Sequence, residues 1–230
     1  MVLDLEAIVQ DKAQKVCKRM QSAIDTGEPC DLHHAFRSVS IDVISDFAFN
    51  RSYNLLDSDD LGAQFFELTG GVGPAMWVFQ QFPFLRELSL SIPAWLAPHL
   101  SKPLGKVIEL QQECVRQVED VKESMASGKL SERPTIFSTL LSPDNKPEGY
   151  RIPPTEHLKD EAYSVIMAAA DTTGNAMTVA AYHVMKDPTI YKRLCHELQS
   201  KFPSSDNLPF LELEKLPYLV SAVYTGVGHR

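Results

Sequence analysis

Glu161-Ala-Tyr-Ser-Val-Ile-Met-Ala-Ala-Ala-Asp171-Thr-Thr-Gly-Asn-Ala-Met-Thr-Val-Ala-Ala-Tyr182 is the stretch around which the chain is organised. At about 100° per residue, Val165, Ala168, Ala169, Thr172, Ala176 and Val179 share one helix face, and Tyr163, Met167, Ala170, Gly174, Met177 and Ala181 share the opposite one. Both faces are apolar or small, which predicts one long buried helix at the centre of an all-α protein. Asp171, Thr172, Thr173 and Asn175 sit in the middle of it. A carboxylate is costly in a core, and Thr-Thr-Gly is a poor helix-forming run. Local preference and global role disagree at these residues, which is a common mark of a functional site.

Two chemistries are open to these side chains. The hydroxyl of Thr172 can bond the Ala168 carbonyl one turn back, or it can be freed toward a ligand where the helix widens. The small surface beside it leaves room for a flat ligand. An acid next to an alcohol can relay protons from solvent to a reacting atom. The plainer reading is that Thr172 and Thr173 satisfy their own backbone and that Asp171 pairs with an arginine.

Ala168-Ala169-Ala170-Asp171-Thr172-Thr173 resembles the oxygen-binding signature on the long central helix (helix I) of the cytochrome P-450 superfamily, the haem-thiolate monooxygenases. Ala169 stands where the family usually has glycine. The flanks agree with the motif: Asp187-Pro188 followed by Tyr191 to Leu198 is similar to the family's helix J, and Leu213-Glu-Lys-Leu-Pro-Tyr-Leu219 resembles the entry to helix K. Ala35 to Phe49 resembles helix E of the fungal branch. The resemblance covers nearly the whole chain and implies a partial domain over residues 1–230, from about helix D to the start of helix K.

The resemblance implies haem as cofactor, electrons from NADPH through a reductase partner, and insertion of one oxygen atom from dioxygen into a small apolar substrate. Thr172 would hold the proton network at the reacting oxygen, Asp171 would relay protons from solvent, and Ala168 and Ala169 would flank the haem together with Thr172. The family's haem-binding loop, Phe-x-x-Gly-x-x-x-Cys, does not occur, and no Glu-x-x-Arg follows Leu219. The expectation is therefore a truncated chain that is inactive by itself and does not retain haem. The alternative is a haem-free helical remnant or binding module.

A 230-residue chain with 44% hydrophobic residues can bury a substantial core. With a net charge of −8 and no basic cluster, it has no electrostatic footprint for nucleic acid. Cys17, Cys30, Cys114 and Cys195 lack pairing or metal-ligand spacing, so reduced thiols are expected and no protein-ligated metal. No apolar run reaches the roughly 18 residues of a membrane span. The expectation is a chain that lacks an anchor and is cytoplasmic alone, whereas the complete family member would sit at the endoplasmic reticulum membrane.

Outward from the centre, the spacing predicts a surface helix from Leu3 to about Asp25, with Leu5, Ile8, Val9, Ala13, Val16 and Met20 inward and Lys12, Lys15, Lys18 and Arg19 outward. Asp31 is a natural N-cap for a second helix ending near Asn50. Phe65 to His99 is rich in aromatics, including Trp77, Phe79, Phe82, Phe84 and Trp95, and is broken by Gly70-Gly71 and Gly73-Pro74. It reads as an aromatic core between short helices, or, by the resemblance, as the lid over the substrate pocket with possible membrane contact. Pro103 opens a charged amphipathic helix to about Ser127. Ser142 to Pro154 is a loop, after which Thr155 is expected to cap the central helix.

Overall fold

A computed structural model describes residues 2–70, 72–90, 93, 96, 102–128, 133–144, 146–204 and 208–228; Trp95 and His99 lie outside them. The described residues form α-helices and one short 3-10 turn, with no strand among them. In chain order the helices are α1 (Val2–Thr26), α2 (Leu32–Phe49), α3 (Ala63–Gly70), α4 (Val72–Gln81), α5 (Pro83–Leu90), α6 (Lys102–Ala126), α7 (Ile136–Leu141), α8 (Thr155–Lys186), α9 (Pro188–Lys201), α10 (Phe210–Leu213) and α11 (Pro217–Gly228). Among the described residues no helix is long and apolar enough to cross a membrane.

Two compact units share the chain, one formed by Met1–Ser40 with Ala170–Arg230 and the other by Ile41–Ala169. In the first unit α1 runs as its periodicity predicts, but its inward stripe is rotated. Leu5 and Ile8 are half-buried and Lys12 and Val16 are buried, whereas Val9 and Ala13 are exposed. Lys12, expected outside, is only 5% exposed. Its ammonium meets Asp11 Oδ2 at 3.0 Å, so a long aliphatic stem can lie inward while the charge stays paired.

Caps fix the remaining helices of this unit. Asp31 accepts the His34 amide at 3.0 Å, as an N-cap to the third helical residue should. That bond, ahead of the nearby imidazoles, holds its carboxyl below the usual range. Asp187 caps α9 through the Thr189 amide at 2.8 Å, with Pro188 in the first position where its missing N–H costs nothing. Glu197, on α9, accepts the amides of Tyr218 and Leu219 at 3.0 and 2.8 Å and so holds the start of α11. The Arg193 guanidinium lies 4.2 Å from the Tyr218 ring centroid, a second tie between these helices.

The second unit is built around the polar side of α2. Asp42 is fully buried and accepts the amides of Leu55 and Leu56 at 2.9 and 3.0 Å, where the 3-10 turn Leu55–Asp57 begins. Ser45 donates to the Ile41 carbonyl at 2.7 Å and accepts the Tyr53 amide at 3.1 Å. The segment after α2 is thereby folded back onto it. Phe49 stacks on Phe137 of α7 with centroids 4.7 Å apart. A reciprocal capping box between Thr135 and Ser138 starts α7. Arg133 donates to the Asp46 carboxylate at 2.9 Å and lies over Phe47. Leu110, Cys114, Val118 and Val121 make the buried stripe of α6.

Two expectations about the aromatic segment need correction. Gly73-Pro74 does not break the chain, because Pro74 falls in the first turn of α4, where a helix tolerates proline. Several of the described aromatics are also exposed rather than packed into a core. Phe66 is buried, but Trp77 is 70%, Phe82 52% and Phe84 64% exposed.

Candidate active site

Helix α8 is continuous over 32 residues, without a local widening at the threonines. It is buried along a stripe spaced four residues apart, namely Leu158, Ala162, Ile166, Ala170 and Gly174. Ala168, Asp171, Thr172, Thr173 and Asn175 are exposed and Ala169 is half-buried. The expectation of a helix enclosed on all sides is thus replaced by one with a packed side and an open side. This explains how polar residues are tolerated at its centre: they face outward. Thr155, expected to cap the helix, instead accepts a hydrogen bond from Lys122 Nζ at 2.6 Å, and the Pro154 carbonyl accepts the first amides, those of His157 and Leu158.

The packed side around the motif faces α2. A Cβ placed on Gly174 would lie 2.6 to 2.9 Å from Arg37 Cγ, Cα and N, closer than packed atoms come. The poor helix former therefore has a structural cause, since only a residue without a side chain lets the backbone of α2 come this near. One turn further on, His33 Nδ1 is 3.4 Å from Thr178 Oγ1, and that hydroxyl donates back to the Gly174 carbonyl at 2.7 Å.

Asp171 forms an ion pair with Arg37 Nη2. The arginine side chain is 9% exposed and the aspartate side chain 60%. With one partner so open to solvent, the pair stabilises the fold by only about 0.2–1 kcal/mol. Helix geometry places Asp171 about 60° from Gly174 on one flank and about 60° from Ala168 on the other. The carboxylate stands at the edge where the packed side meets the open one. Thr172 and Ala168, one turn apart, occupy the middle of the open side. Of the expected site residues, Asp171, Thr172 and Ala168 are therefore exposed on neighbouring positions of the helix, with Ala169 half-buried beside them.

Sequence reading foresaw an arginine for Asp171 but not which one. Its signal was there: Arg37 is the one basic residue between Ala35 and Phe49, a stretch otherwise apolar or polar-neutral apart from Asp42 and Asp46.

The four cysteines differ in burial. Cys17 is exposed, Cys30 and Cys195 are half-buried, and Cys114 is fully buried. Burial, followed by the neighbouring Glu113 charge, pushes the Cys114 thiol up to about 11. A metal-binding or nucleophilic thiol requires the opposite shift. In the folded chain, a thiol-specific disulfide reagent at mildly alkaline pH should label Cys17 readily and Cys114 only after denaturant is added; rapid labelling of Cys114 in the native state would contradict the packing of α6. Among the described residues no three His, Cys, Asp or Glu side chains gather as a metal site.

Comparison with known proteins gives the family. The family model described as Cytochrome P450 matches residues 2–224. The chain is 30% identical over 229 residues to Cytochrome P450 monooxygenase macH of Penicillium terrestre, covering 99% of this chain and 44% of that protein. It is 29% identical over 238 residues to Cytochrome P450 monooxygenase MO6277 of Ascocoryne sarcoides (98% and 46%), and 28% identical over 226 residues to Conidiogenone synthase PchP450 of Penicillium rubens (98% and 44%). The chain thus spans a little under half the length of these curated relatives. Because the family match runs through both units and across the whole of α8, this chain belongs to the cytochrome P450 family.

Proposed function

We propose that residues 1–230 are part of one P450 domain and supply the oxygen side of a haem monooxygenase that acts on a small apolar substrate. The observation that carries this reading is the exposure of Ala168 and Thr172 on one continuous helix, with Ala169 half-buried beside them and Asp171 at the edge. Small side chains there give a flat cofactor van der Waals access to the helix, so the residues present fit a haem. Haem, when bound, supplies the redox chemistry that splits dioxygen, with electrons drawn from NADPH through a reductase. Asp171 would take protons from solvent and Thr172 would pass them on toward the oxygen side of the site, while Ala168 and Ala169 would leave room for the ring.

None of the four cysteines lies in a Phe-x-x-Gly-x-x-x-Cys context, and on this reading the 230-residue chain alone is inactive and does not retain haem in the thiolate mode. The exposed Trp77 and Val78 of α4, Phe82 in the joint, and Phe84 and Leu88 of α5 are apolar side chains that would touch the endoplasmic reticulum membrane in the complete enzyme.

The carbon monoxide spectrum of the reduced protein tests both halves of the proposal. A chimaera in which this chain replaces the aligned 44% of the Penicillium terrestre protein should take up haem and show the Soret shift of a thiolate-ligated iron. The 230-residue chain mixed with haem should give only free-haem or histidine-type spectra. A folded chimaera that fails to bind haem, or a thiolate-type band from the chain alone, would overturn the reading.

A further inference from the structure

Arg37 reaches Asp171 from an anchored position. Its backbone N and Cα, with Cγ, lie against Gly174, so the start of the side chain is fixed on the packed side of α8. From there the nearly buried side chain runs back one turn of the helix, and Nη2 ends on Asp171 Oδ1. The contact is made to a carboxylate that is otherwise open to solvent and next in sequence to Thr172. An ion pair of this exposure adds little to folding, so its value lies in fixing where the carboxylate points.

We propose that Arg37 is the positioning residue of the Asp171–Thr172 pair: locked in place at Gly174, it holds one oxygen of Asp171 and leaves the rest of the carboxylate at the edge of the open side, where it can exchange protons with solvent. This rests on the proton-relay role proposed above for Asp171 and Thr172. Without the guanidinium, Asp171 becomes one of many freely rotating surface carboxylates. The distance over which a proton must pass then varies, and a relay is sensitive to such misplacement. The arrangement also assigns Gly174 a purpose beyond packing, because any side chain there would push the root of Arg37 away from the helix.

Two measurements test this, and they fail independently. On the 230-residue chain, NMR of the Arg37 guanidinium should show separate Nη signals, because a bound carboxylate slows rotation of the group. In Asp171→Ala the exchange between those signals should quicken, whereas Thr172→Ser should leave it as in the parent. Merged signals in the parent chain would overturn the proposal. In the haem-loaded chimaera, Arg37→Met keeps the backbone and Cγ that meet Gly174 and removes only the charged head. It should lower product formed per NADPH consumed severalfold, at most by the roughly hundredfold that misplacing a reacting group costs. Arg37→Lys, which restores a single charged donor, should recover part of the loss. An Arg37→Met protein with the parent's thiolate-type spectrum and the parent's coupling would overturn the proposal while leaving the assignment of function intact. A parent chimaera with no thiolate-type spectrum would instead defeat that assignment, and with it the catalytic purpose of the clamp.

Discussion

Asp42→Ala is expected to destabilise the chain by about 3 kcal/mol, because two amides buried against the carboxylate lose their acceptor at once. Asp42 has no exposed surface, and it bonds the amides of both Leu55 and Leu56. No water can reach the vacated position without opening the packing of Leu56, which is 1% exposed. Asp42→Asn separates the effects. Its amide oxygen can keep one acceptor position, but the Nδ2 side cannot accept, so the loss should be about half. Urea unfolding followed by helical circular dichroism checks this: the midpoint should fall in the order parent, Asn, Ala, with the slope unchanged. An Ala variant within about 0.5 kcal/mol of the parent would mean that the turn at Leu55 is held by something else.

Gly174→Ala is the second large effect, and its sign is informative. Alanine is the better helix former by about 1 kcal/mol, so on local preference alone the substitution stabilises. The added methyl, however, would stand 2.7 Å from Arg37 Cα and 2.9 Å from Arg37 N, and backbone atoms cannot swing aside as a side-chain end can. Forcing apart two packed helices costs about 1–3 kcal/mol or somewhat more, so a net loss near 2 kcal/mol is expected. Asn175→Ala, at the exposed neighbour, should shift stability by less than about 0.5 kcal/mol. If Gly174→Ala were the more stable protein, the close crossing of α2 over α8 would be wrong.

Legibility followed the range of the interaction. The extents of α1, α2, α6 and α8 were readable because apolar spacing and the Asp31 cap act within a few residues, and the family followed from the Ala168–Thr173 motif with its flanks. Details that depend on distant partners were not. Lys12 reads as a surface lysine until its stem is seen on the buried stripe, and a periodicity count cannot separate a stem from a head group. Asp42 looks like one more polar residue on α2, because its partners are amides of a later segment that any sequence would offer. The aromatic run from Phe65 left two readings open, a core or a lid, since aromatic residues serve burial and interaction surfaces equally well. Around the motif, the reading of a buried helix placed Asp171 and Thr172 in a low-dielectric interior; in this chain they are exposed, and the cause of Gly174 is the backbone of Arg37.

The central claim is that Thr172, fed by Asp171, directs protons to the reacting oxygen, and the ratio of product formed to NADPH oxidised tests it most directly. Measured in the haem-loaded chimaera, Thr172→Ala should continue to oxidise NADPH, but product per NADPH should fall severalfold, with the missing electrons recovered as hydrogen peroxide. Thr172→Ser, which keeps a hydroxyl at the same place on the helix, should retain most of the coupling. Equal product per NADPH in Thr172→Ala and the parent, with no added peroxide, would contradict the account.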